Sequence, residues 1–185
     1  MTKKTPNNKL SKELAEMLMP HYAGMEVTVE HSQRWQRMCV TFRWEGFTDL
    51  LPEERFERLV RVIPEEFRQG KLGGFVWLEL VPGEDIDAFL KLPRSDDIAD
   101  REEEIYSGLE EARVFDALKD ALGPSPSKAC QGEFSELGVV LATKKFSSDR
   151  IRDARLLFIR NGAYCDCQAI LTVRQELARL YGGGS

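Results

Sequence analysis

Apolar and polar residues alternate from residue 25 to residue 30. Met25, Val27 and Val29 fall on one side, and Glu26, Thr28 and Glu30 on the other. That period of two is the mark of a half-buried strand. A second alternation covers residues 35–44, with Met38, Val40, Phe42 and Trp44 on one face and Arg37, Thr41 and Arg43 on the other. The short connector His31-Ser32-Gln33 predicts an antiparallel hairpin, because parallel strands need a long crossover. A third strand is expected over residues 75–81. Val76, Leu78 and Leu80 would point inward and Trp77 and Glu79 to the opposite face, with Pro82-Gly83 ending it.

Helical spacing fills the intervals. Ser11 is a suitable N-cap for a helix with Leu14, Met17 and Leu18 on one stripe, closed by Pro20 and Gly24. Pro52 opens a second helix, Glu53 and Glu54 suit its positive end, and Phe56, Leu59, Val60 and Ile63 are expected inward. Pro64 bends or restarts it. Residues 10–83 thus read as an α-β-β-α-α-β module, a three-stranded sheet with helices on one face. Residues 84–123 read as helical, with a break at Ser107-Gly108-Leu109-Glu110, which has capping-box spacing. Gly123-Pro124-Ser125-Pro126-Ser127 predicts a linker at 124–127. Residues 131–145 fit a helix through Phe134, Leu137 and Leu141, although Val139-Val140-Leu141 also suits a strand. Ser148 is expected to cap a helix to Arg160, stopped by Asn161-Gly162. Residues 168–181 supply the last helix. Residues 1–9 and 182–185 read as tails. The fold class is α+β, with a mainly helical C-terminal part at 128–181.

Charge changes how the middle is read. Residues 76–122 carry 14 acidic against 5 basic side chains, whereas the whole chain has a net charge of −5. A coat for nucleic acid is therefore not expected, and the acidic stretch reads as a solvated helical spacer. No apolar run approaches the ~20 residues of a membrane span. The polar start, Met1 to Asn8, leads into no signal-type core, so a cytoplasmic location is expected.

Candidate chemistry lies with the cysteines. Cys165-Asp166-Cys167 falls between a helix stop and a helix start, with Asp166 expected to cap the final helix. Unpaired N–H groups there favour thiolate, the form that binds metal or reacts. Cys130 follows the linker and is a third candidate sulfur ligand. Zinc would need a fourth, from Glu133, His21, His31 or water. The same residues also fit small buried hydrophobes beside a turn, or a thiol-redox role. Cys39 lies mid-strand and reads as structural.

Residues 161–171, Asn-Gly-Ala-Tyr-Cys-Asp-Cys-Gln-Ala-Ile-Leu, resemble the signature of a small bacterial family of unknown function that carries a Cys-Asp-Cys motif after a helix. An upstream Cys-Asp-His element of that family would correspond to Cys130-Gln131-Gly132, where the His is absent, and Gln168 replaces the usual Glu. This resemblance, over residues 128–175, implies a fold relation and no chemistry. The order α-β-β-α-α-β, with Trp44-Glu45-Gly46-Phe47 and Glu54-Arg55-Phe56-Glu57-Arg58, is similar to the BolA-like fold related to KH domains. Phe56 stands nearest that family's His, so topology alone is implied, over residues 10–85.

Arg55, Arg58, Arg61 and Arg68 share a helix side. They read either as a phosphate-facing row or as a solvated face of i, i+4 pairs with Glu54 and Glu57. Trp35 and Trp77 are expected together on the outer sheet face, covered by the acidic helices or marking a partner surface. No phosphate loop, HExxH or GxSxG occurs. The leading expectation is a non-enzymatic interaction or adaptor protein. A metal-binding (zinc-type) or thiol-redox protein using Cys130, Cys165 and Cys167 is the alternative, and an RNA-binding module is a third.

Overall fold

The computed structural model describes residues 7–182; residues 1–6 and 183–185 of the two expected tails lie outside them. The chain divides into two compact units, Met1–Pro93 and Arg94–Ser185. The fold is α+β, with a three-stranded mixed sheet and a helical C-terminal region. No helix among the described residues is long and apolar enough to cross a membrane.

In the N-terminal unit, α1 (Asn8–Leu18) starts earlier than Ser11. The Asn7 side chain accepts from the Leu10 N–H and is the cap. Strands β1 (Glu26–Ser32) and β2 (Arg37–Arg43) pair antiparallel, Glu26 opposite Arg43 and Ser32 opposite Arg37. His31 and Ser32 therefore extend the strand, and Gln36, at φ 51°, makes the turn. Helices α2 (Pro52–Val62) and α3 (Glu65–Gly70) carry the chain back to β3 (Val76–Leu80), which joins β2 in parallel. A helical crossover is what a parallel pair requires.

The expected helices on one face are corrected here, because both faces of the sheet are covered. Val29, Val40 and Phe42 bury against Leu14 and Leu18 of α1 and Leu59 and Ile63 of α2. On the other face, Leu78 and Leu80 pack with Phe89 of α4 (Ile86–Leu90), and Trp35 joins them. Pairing Val40 with Trp77 puts Trp77 on the first face, its ring 5.4 Å from Phe42. Trp35 and Trp77 thus lie on opposite faces, each half-buried, rather than side by side.

Helix α2 is rotated from its expected setting. Phe56 is 43 % exposed, while Arg55 is 4 % exposed. The Arg55 guanidinium donates to the Glu84 carboxylate (2.6 Å), to the Glu79 carbonyl (2.7 Å) and to the Leu50 carbonyl (3.0 Å). A charge saturated in this way is tolerated inside. Arg55 therefore leaves the expected arginine row, Arg61 pairs with Glu57 at 3.1 Å, and the Arg68 Nε donates to the Ile63 carbonyl.

The C-terminal unit begins with a 3-10 turn (Ser95–Ile98), then α5 (Glu102–Glu111) and α6 (Val114–Leu122). The break falls at Arg113, φ 52°, not at the capping-box spacing of residues 107–110. The short α7 (Pro126–Ala129) occupies the expected linker's end, and residues 135–143 are helix α8 (Ser135–Thr143). Helix α9 (Ser148–Arg160) is capped by Ser147, whose hydroxyl accepts from the Arg150 N–H, rather than by Ser148. Phe158 of α9 packs edge-on to Phe115 at 5.8 Å and lies 6.1 Å from Phe134. Burial of each such side chain is worth roughly 1.5–3 kcal/mol. The acidic stretch is not a free spacer. Arg160 binds Glu102 (2.6 Å) and Asp96 (2.5 Å), and Arg101 binds Asp153 (3.0 Å). Its negative charge neutralises Arg160 of α9.

Candidate metal centre

Two loops bring the three cysteines together. Gly162, at φ 82°, ends α9: its N–H reaches the Ile159 carbonyl, and the Ala163 N–H reaches Phe158. This αL closure turns the chain sharply. Tyr164 then donates its N–H to the Gln168 side-chain oxygen at 2.8 Å, and Cys165 is fully extended. The next helix starts as α10 (Asp166–Gln168), widens into a π turn over Ala169–Val173 and continues as α11 (Arg174–Tyr181). Such π turns recur at functional sites; this one begins two residues after Cys167. The second loop, between α7 and α8, presents Cys130.

The Cys167 sulfur lies 2.9 Å from that of Cys130 and 3.2 Å from that of Cys165, and all three are within 4.8 Å of one another. All are free thiols. The separations are well beyond the ~2.05 Å of a disulfide bond. The two shorter ones fall somewhat inside the ~3.8 Å sulfur–sulfur edge of a tetrahedral site built on ~2.3 Å metal–sulfur bonds. Cys165 and Cys167 are 3 % and 9 % exposed, and Cys130 is half-buried.

Asp166 corrects the expected cap. It does not cap its own helix. Its carboxylate crosses to α8 and accepts the N–H groups of Glu136 (2.8 Å) and Leu137 (2.9 Å) and the Ser135 hydroxyl (3.4 Å). Phe134, the N-cap of α8, has no side-chain acceptor of its own, so Asp166 serves in its place. Its backbone N–H also donates to the Glu133 carbonyl at 3.2 Å. The residue between the two cysteines is therefore the clamp that holds the Cys130 loop against them. Burial pushes its carboxyl above the usual range, partly offset by those donors.

The thiols divide differently from the expectation at a helix start. Burial, then the neighbouring sulfurs, push Cys167 up to about 12. Burial likewise raises Cys165, against an N–H from Gln168. Burial also pushes on Cys130, but hydrogen bonds from Cys167 and from the Gly132 N–H outweigh it and hold that thiol below its ordinary value. Of the three, Cys130 gives up its proton most readily. A bound cation reverses such a pattern by drawing the protons off its ligands. Backbone N–H groups on sulfur also serve as the outer layer of a thiolate metal site.

Cys39 is apart from this cluster, buried in β2 opposite Glu30. Comparison with family models, with curated proteins and with solved structures found no match.

The donor set fits a thiophilic ion for three of its positions. Sequence spacing pointed to all three sulfurs. It missed the clamp by Asp166 and the π turn, which carry no local signature: one depends on a helix start 30 residues upstream, the other on a ladder offset within a uniformly helical pattern.

Proposed function

We propose that the C-terminal unit is a metal-binding module in which Cys130, Cys165 and Cys167 hold a zinc-type ion as thiolates. The observation that carries this is the convergence of the three sulfurs from two loops, pinned together by Asp166. Soft thiolate donors select zinc and similar ions over magnesium or calcium. When bound, the ion would cross-link the loop before α8 to the start of α10. Cys165 and Cys167 hold their side of it in the interior, and Cys130 closes it from the half-buried side. Asp166 keeps both loops in register, and the N–H groups of Gly132 and Gln168 support the charge on the sulfurs. Competition with a chromophoric chelator tests this on the reduced full chain. One zinc per chain is expected, with the three thiols shielded from alkylation and Cys39 unaffected. No uptake, with all three thiols reacting alike with and without zinc, contradicts it.

A further inference from the structure

We infer that the metal centre is open at one position and takes a neutral nitrogen donor of the imidazole kind from another molecule. The inference rests on the metal-binding reading of the three cysteines. Residues 94–185 contain no histidine, and their cysteines are Cys130, Cys165 and Cys167 alone. No aspartate or glutamate oxygen of the described residues joins the three sulfurs as a fourth member of the group. Asp166, the nearest in sequence, is committed to the N–H groups of α8. Zinc fills four positions, and sites with three protein ligands hold the fourth for water or an exchangeable ligand.

Two features set the class of that ligand. Three thiolates exceed the charge of a divalent ion and leave the centre at −1, so a neutral fourth donor adds none of the repulsion that a further anion would. Thiolates also quench the acidity of bound water more than imidazoles do, so the position suits ligand exchange rather than hydrolysis. Cys130 is half-buried where Cys165 and Cys167 are buried, so the open position is approached from the Cys130 side.

The experiment loads the reduced full chain with cobalt(II) and titrates it with imidazole. The expected result is one cobalt per chain, with sulfur-to-cobalt charge-transfer bands lost in Cys130→Ser. Imidazole then shifts the visible ligand-field bands saturably, one per cobalt and with no cobalt released. 2-Mercaptoethanol at equal concentration gives the smaller shift. Cobalt bound through sulfur but indifferent to imidazole overturns the open position. So does a response that appears only when His21→Ala and His31→Ala are combined, because the chain's own imidazole would then fill the site. Failure of cobalt to bind through sulfur overturns the metal reading instead.

Discussion

Each unit buries polar groups, but they are resolved in opposite ways. In the N-terminal unit, Arg55 and Glu84 form an ion pair at 2.6 Å, and the donors left over find the carbonyls of Leu50 and Glu79. At this pair, charge and hydrogen bonds close within the unit. In the C-terminal unit, Asp166 is satisfied by backbone N–H groups, while three sulfurs crowd together beside it with no cationic side chain among them. The first arrangement is complete as it stands. The second sets three thiols within 4.8 Å of one another, and the metal-binding proposal rests on that difference.

Breaking the complete side is expected to cost most. Arg55→Ala empties the buried arginine's place, leaves the half-buried Glu84 without that partner and should destabilise the N-terminal unit by about 3 kcal/mol in urea unfolding. The double change Arg55→Met with Glu84→Leu should recover most of that loss, because apolar replacement of a buried pair is close to neutral. On the other side, zinc at about 1,000 times its Kd should add about 4 kcal/mol to the unfolding free energy of the C-terminal unit. Chelation should remove it, with hydrogen exchange changing around residues 130–137 and 163–173. Asp166→Ala uncovers one buried and one part-buried N–H group and should cost about 1–3 kcal/mol; as a loop clamp it should also weaken zinc binding roughly 10- to 100-fold. Ser147→Ala, which removes the cap of α9, should cost about 1 kcal/mol. Arg61→Ala breaks a surface i, i+4 pair and should stay within about 0.5 kcal/mol.

The strands were legible because a period of two survives in short segments: Val29, Val40 and Phe42 are buried as their alternation requires. The two-sided sheet was not, since covering its second face depends on Phe89 and Trp35, far apart in sequence. Arg55 shows the same limit. Local spacing favours Phe56 inward, and only Glu84, 29 residues on, makes the arginine the better core residue. At the candidate site, Cys165 and Cys167 announce themselves by adjacency. Asp166 looks like a local cap because that is the commonest use of an aspartate before a helix. Its actual target, the start of α8, became visible only once the loops met.

The central claim is that Cys130, Cys165 and Cys167 bind one ion together. X-ray absorption at the zinc edge of the loaded full chain tests it most directly. Three sulfur neighbours at about 2.3 Å are predicted, falling to two in Cys130→Ser. A first shell of nitrogen and oxygen alone, or a sulfur count unchanged by Cys130→Ser, would contradict it.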